Sequence, residues 1–128
     1  ELKRLGHAVL DLGCDGPASV DYPDYAARMA EAFKAGETER GVLICGTGIG
    51  ISIAANRYRH VRAALCHDHY GARLARLHND ANVLALGGRV TGPEIAKDCL
   101  NVFLTTDFEG GRHARRVAMF SEDEPVRG

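Results

Sequence analysis

The sequence has no apolar run approaching the roughly 20 residues that a membrane-spanning helix needs. No basic segment followed by an apolar stretch opens the chain, so no secretory leader is visible and a cytoplasmic setting is expected. Charge of one sign is also missing. Sixteen Lys and Arg against seventeen Asp and Glu give a net charge of −1, a poor balance for general nucleic-acid or membrane-surface binding. Thirteen of those basic residues are Arg, which leaves local anion recognition open. The four cysteines, Cys14, Cys45, Cys66 and Cys99, contain no C-x-x-C pair. No Cys/His spacing matches structural zinc, so reduced thiols and no metal are expected. Repeats, low-complexity stretches and linkers are absent. What remains is 128 residues, 45% hydrophobic and 26% charged, the makeup of one globular domain able to build a core without staples.

Short apolar runs alternate with amphipathic segments, the pattern of β–α units around a parallel sheet. Four strands are expected: Ala8–Leu12, Val42–Cys45, Val61–Cys66 and Val83–Leu86. A helix opened by Asp21-Tyr22-Pro23 and closed by Gly36 carries Tyr22, Ala26, Met29, Ala30 and Phe33 at helical spacing. A small-residue helix is expected from about Ile51 to Asn56. Another runs from about Asp68 to Leu77, with Leu74 and Leu77 inward. Thr91 and Glu94 read as a capping box for a helix reaching about Leu104, with Ile95, Cys99, Leu100 and Phe103 inward. Gly110-Gly111 precedes a last helix, about Arg112 to Phe120, and a polar tail. Glu1–Gly6 reads as the end of a helix stopped by Gly6. In a doubly wound sheet that implies a preceding strand and most of its helix, roughly twenty residues of a β–α unit.

The strongest local feature is Cys45-Gly46-Thr47-Gly48-Ile49-Gly50, where a buried strand enters a glycine-rich turn and then a helix. Such a turn is either a tight strand–helix connection alone or one that aims backbone N–H groups at one point and cradles negative charge, a phosphate or a reaction intermediate. Gly46, Gly48 and Gly50 do not have the G-x-G-x-x-G spacing of a dinucleotide fingerprint, and no Lys-Ser/Thr completes a Walker A loop. Cys45 ends the strand at the mouth of the cradle, where open α/β folds bind ligands and where the local field favours a thiolate. The alternative for Cys45 is a small buried core residue, the reading that also suits Cys14, Cys66 and Cys99. Arg112 and Arg116, four apart on a helix, suit a phosphate monoester or a solvated basic face. His78, at a helix end with Asn79 and Asp80, is either part of a helix-ending polar cluster or an imidazole that can move protons near neutral pH. His67 and His69 read as surface or helix-start residues.

Ile44-Cys45-Gly46-Thr47-Gly48-Ile49-Gly50-Ile51-Ser52-Ile53-Ala54-Ala55-Asn56 resembles the signature of the ribose-5-phosphate isomerase B family, which also includes galactose-6-phosphate isomerase subunits. Asp21-Tyr22-Pro23, His78-Asn79-Asp80-Ala81-Asn82-Val83-Leu84 and Glu109-Gly110-Gly111-Arg112-His113 match further blocks in the same order. The resemblance implies a Rossmann-like three-layer α/β sandwich with a five-stranded parallel sheet. It implies a homodimer or homotetramer with active sites at the subunit interface, and a small-molecule sugar phosphate as partner. It also implies interconversion of ribose 5-phosphate and ribulose 5-phosphate through an enediolate, with no cofactor. Galactose 6-phosphate, allose 6-phosphate and a non-catalytic sugar-phosphate-binding role remain alternatives.

The same resemblance assigns roles. Cys45 is the base, Thr47 contacts O1 or O2, and the amides from Gly46 through Gly48, Ile49 and Gly50 hold the intermediate. His78 opens the furanose ring and Asn79 holds a sugar hydroxyl. Tyr22 and Arg89 support, Arg112 and Arg116 take the phosphate, and His113 assists them. Some members use a Glu after the glycine loop; this chain offers no carboxylate there, which places it among the Cys-dependent members. The family's first strand ends in an Asp-His pair to which no residue here corresponds.

Overall fold

A computed structural model describes residues 1–13 and 21–121. The apolar run Val83–Gly87 (β3) is buried at all five positions, as a strand covered on both faces must be. It lies at the centre of a parallel sheet between Gly41–Cys45 (β1) and Ala63–Leu65 (β2), in the order β1-β3-β2. The two-residue period divides its side chains between two cores. Val83 and Ala85 face Ala26, Met29 and Ala30 of Tyr22–Lys34 (α1) and Ile51 and Ala55 of Ile49–Ala55 (α2). Leu84 and Leu86 face Ala72 and Ala75 of His69–Asn79 (α3) and Cys99, Leu100 and Phe103 of Pro93–Thr105 (α4). This is the expected three-layer α/β sandwich. A 3₁₀ turn, Gly111–His113, leads into Ala114–Met119 (α5).

The sheet among the described residues has three strands, where four were expected. Ala8–Leu12 forms no ladder. It borders a cavity of about 810 Å³ whose other wall includes Gly41–Cys45. An apolar sequence becomes a strand only through hydrogen bonds to a neighbouring edge, and the cavity intervenes. The same opening leaves Ile44 60% exposed, although Val42–Cys45 was expected as a buried strand. Along the other border of the sheet, the Asn56 side chain substitutes for a strand. Its Nδ2 donates to the Ala63 carbonyl at 2.9 Å and its Oδ1 accepts from the Ala63 N–H at 2.8 Å.

Other local readings shift for identifiable reasons. The Thr91–Glu94 capping box does not form: Gly92 is the N-cap of α4, with no side-chain cap. Pro93, which suits the first helical position, sets the start one residue later. Ile95 is exposed on α4, and Leu74 and Leu77 are only half-buried on α3. The buried face of α3 is instead Ala72, Ala75 and Arg76, because small residues allow α3 and α4 to approach closely. The opening turn behaves as read. Gly6 has φ +90°, and the His7 and Gly6 N–H groups donate to the Leu2 and Lys3 carbonyls at 3.1 and 3.0 Å, a Schellman closure. Cys14 and most of the polar tail lie outside the described residues.

Candidate functional site

The chain leaves β1 toward α2 on one face of the sheet and leaves β3 toward α4 on the other. Their carboxyl ends therefore diverge, which opens the crevice where parallel α/β sheets take ligands. Cys45 ends β1 there, half-buried and on the wall of the cavity. The Gly48 N–H donates to Cys45 Sγ at 3.2 Å. Burial pushes the thiol up, yet the N–H groups of Ile51, Gly48, Thr47 and Gly50 outweigh it and leave the thiol below its ordinary value. The turn depends on Gly48, at φ +79°. Thr47 Oγ1 accepts the Ile49 N–H at 3.2 Å, and Ser52 Oγ donates to the Ile49 carbonyl at 2.8 Å.

Neighbouring elements lock this loop. Gly88 and Arg89 donate their N–H groups to the Cys45 and Gly46 carbonyls at 2.8 and 2.9 Å. The Arg89 side chain lies over Gly46, within 3.5 Å of where a Cβ would project. The Tyr22 hydroxyl lies against Gly50, 2.5 Å from such a position. Gly87 admits the loop itself: a Cβ there would meet the Thr47 carbonyl oxygen at 2.5 Å. The structure thus gathers Cys45, Gly46, Thr47, Gly48, Ile49, Gly50, Tyr22 and Arg89 at one end of the sheet. Gly87 was not singled out from the sequence; two consecutive glycines directly after a buried strand were the available signal.

The remaining residues gather elsewhere. His78 and Asn79 end α3 just before β3 begins, so they lie at the amino edge of the sheet. Glu109 donates its N–H to the Leu77 carbonyl at 3.1 Å, which brings the Glu109–His113 turn to the same edge. The His78 and His113 rings stack with centroids 4.3 Å apart. Arg112 Nε donates to His113 Nε2 at 3.5 Å, and Glu109 Oε1 lies 3.8 Å from that nitrogen. Burial, with His78, Arg112 and Arg116 nearby, holds the His113 imidazole below its usual range, against the opposing Glu109 carboxylate. Arg112 and Arg116 are exposed. Beyond them, Ser121 Oγ donates to the Arg59 carbonyl at 3.1 Å, across the same edge.

His78, Glu109 and His113 place their donor atoms within 4.8 Å of one another, a spacing that invites comparison with a metal centre. The chemistry of the set argues otherwise. Arg112 already directs a positive charge at the His113 nitrogen lone pair, so the cluster suits an anion and a mobile proton better than a cation.

The two remaining described cysteines fit the core reading. Burial, then Cys99 and Asp68, push the Cys66 thiol up to about 11, and burial raises Cys99. His67 and His69 are exposed, His69 at the start of α3. Besides Gly87, sequence reasoning missed Arg76, buried in the last turns of α3 beside Asp80. The i, i+4 spacing of Arg76 and Asp80 was the only signal.

The profile of the ribose/galactose isomerase family matches residues 1–120. Ribose-5-phosphate isomerase B of Escherichia coli is 48% identical over 98% of this chain and 85% of its own length. D-erythrulose-4-phosphate isomerase of Pectobacterium atrosepticum is 52% identical over 91% of this chain and 77% of its own. The structure of Clostridium thermocellum ribose-5-phosphate isomerase B superposes with a TM-score of 0.91 at 53% identity, covering 94% of this chain and 81% of that one. A match along nearly the whole chain, in sequence and in three dimensions, establishes that this protein belongs to the ribose/galactose isomerase family.

Proposed function

We propose that the chain works as one sugar-phosphate isomerase domain that interconverts ribose 5-phosphate and ribulose 5-phosphate without metal, with the Cys45 thiolate as base. The observation that carries this is the lowered Cys45 thiol, held by loop amides on the wall of an open cavity. In the open-chain aldose, Cys45 takes the proton from C2. Charge moves onto the O1–C1–C2–O2 system as a cis-enediolate, and the amides of the Gly46–Gly50 turn stabilise it. Removing one such donor typically costs about 2.7–4 kcal/mol. The thiol returns its proton to C1 while Thr47 Oγ1 helps move a hydroxyl proton from O2 to O1, leaving a ketone at C2. Before this, His78 opens the furanose by acid–base transfer. Asn79 holds a hydroxyl and Arg112 and Arg116 take the phosphate, with His113 beside them.

Within one chain these groups stand at opposite ends of the sheet, separated by the length of β3, about 17 Å at 3.3 Å per residue. We infer that two copies complete each other, the cradle of one facing the His78–Arg112–Arg116 edge of its partner in a homodimer or homotetramer. The exposed apolar side chains Ile44, Ile49, Ile53 and Val90 around the cradle end support a covered surface there.

A relative named for a four-carbon sugar phosphate at 52% identity gives a second reading, the same chemistry on a shorter chain. Comparing kcat/KM for ribose 5-phosphate, erythrulose 4-phosphate, galactose 6-phosphate and allose 6-phosphate tests both. The pentose is expected to lead by tenfold or more, about the discrimination that one carbon supports. Preference for another sugar would replace the substrate, and binding without turnover of any would end the catalytic reading.

A further inference from the structure

Arg76 is a 2% exposed cation to which the proposed chemistry gives no task. A buried charge needs a partner, and Arg76 has one in Asp80: its Nη1 donates to Asp80 Oδ1 at 2.9 Å and to the Ala81 carbonyl at 2.6 Å. Its Nε donates to the Thr106 carbonyl at 3.0 Å, and its guanidinium lies 5.8 Å from the centre of the Phe103 ring. From the other side, Arg62 Nε donates to the Asp80 carbonyl at 2.7 Å, and Arg62 Nη2 reaches Asp80 Oδ2 at 3.4 Å.

Asp80 is also the one non-glycine residue at positive φ among the described residues, at +46°. It caps α3 directly after His78 and Asn79. Glycine or asparagine fills a left-handed cap at lower cost. An aspartate there, gripped by two guanidinium groups, is explained by its carboxylate rather than by its backbone.

We propose that Asp80, held between Arg62 and Arg76, is a positioning residue that fixes the His78 imidazole and the Arg112–His113 turn relative to each other. One carboxylate ties the end of α3 to the approach to β2 through Arg62 and, through Arg76, to Ala81 just before β3 and to the exit of α4 at Thr106. From Thr106 the chain runs three residues to Glu109, whose N–H returns to the Leu77 carbonyl. Both walls of the His78–His113 stack therefore hang from the same clamp. This rests on His78 as the ring-opening group proposed above.

The test compares Asp80→Gly and Asp80→Asn with the unsubstituted protein in two assays. Ribose 5-phosphate is cyclic, and its isomerisation needs ring opening. Exchange of the C1 hydrogen of ribulose 5-phosphate with deuterium from solvent needs Cys45, its cradle and a held phosphate but no ring opening. It is therefore read at saturating ribulose 5-phosphate, where a weakened phosphate grip no longer limits it. Asp80→Gly is expected to lower ribose 5-phosphate turnover about tenfold or more, within the range of one acid–base catalyst, while exchange stays within about twofold. Asp80→Asn, which keeps an acceptor for Arg76, is expected to fall between. Glycine suits the left-handed cap, so unchanged turnover in both variants would show that Asp80 only ends the helix. Loss of turnover and exchange together in both variants would show a general structural role. Either result overturns the proposal while the unsubstituted protein remains an active isomerase. Inactivity of the unsubstituted protein in both assays overturns the isomerase reading, and the clamp's role with it.

Discussion

At the carboxyl ends of β1 and β3 the chain presents backbone: four amides turned toward one sulfur, in a loop that glycines at 46, 48, 50 and 87 allow to close. At the amino edge of the same sheet it presents side chains: two stacked imidazoles, a carboxylate and exposed arginines. The first end is held by backbone hydrogen bonds from Gly88 and Arg89 and turns its amides toward one place. The second is a set of long groups whose positions depend on buried contacts several residues away. Each end lacks what the other has. Among the described residues, the cation packed against the cradle loop is Arg89, and the arginine edge has no cysteine beside its imidazoles. The difference teaches that one folded chain can hold its two groups of candidate site residues at opposite edges of one sheet.

Breaking the cradle end has the largest expected effect. Cys45→Ala is expected to lower turnover about 10³-fold or more and to abolish deuterium exchange at C1, since no other group replaces the base. Circular dichroism and thermal unfolding should remain near the parent, because the side chain is half-buried and the loop around it is held independently by the Gly88 and Arg89 N–H groups. Gly87→Ala touches no substrate but drives a methyl into the Thr47 carbonyl. Displacing the loop by that amount is expected to cost about 10²-fold in kcat, read by steady-state kinetics. At the other end, under the proposed phosphate role, Arg112→Ala or Arg116→Ala takes away one charge-assisted contact. The expected cost is about 10–100-fold in kcat/KM, equivalent to roughly 1.5–3 kcal/mol. Inorganic phosphate should inhibit these variants correspondingly less.

The smallest effect sharpens a contrast between strand ends. Cys45 and Cys66 both lie at the ends of parallel strands, yet one thiol is lowered and the other is pushed up to about 11. Only the thiolate reacts with iodoacetamide. Raising the pH should therefore label Cys45 first, at a midpoint below the ordinary 9.0, with Cys66 following only in strong alkali. Turnover should fall as the pH drops through the Cys45 value, because protonation removes the base. Co-titration of the two cysteines would contradict the amide cradle.

The layered architecture was legible because β3 is apolar at every position and α1 keeps helical spacing. The glycine loop was legible because three glycines after an apolar strand have few other uses. The Ala8–Leu12 strand was misread because pattern registers apolar side chains and not the distance to a neighbouring edge. Cys99, Leu100 and Phe103 face inward on α4 as expected while Ile95 is exposed, and on α3 the small Ala72 and Ala75 take the buried face, leaving Leu74 and Leu77 half-buried. The separation of His78 from Cys45 follows from topology, since an α-helix preceding a parallel strand must end at the strand's amino edge. The Arg62–Asp80–Arg76 clamp was hidden, as contacts between residues 18 apart in sequence leave no periodic trace.

The division of the site between two copies is tested most directly by mixing two inactive variants, Cys45→Ala and His78→Asn, after dissociation and reassembly. A mixed dimer has one site with both residues intact and one with neither. Equal mixing should therefore restore about a quarter of the unsubstituted activity, by the statistics of a two-fold pair. No recovery despite demonstrated subunit exchange would mean that Cys45 and His78 of the same chain must act together, and would contradict the account.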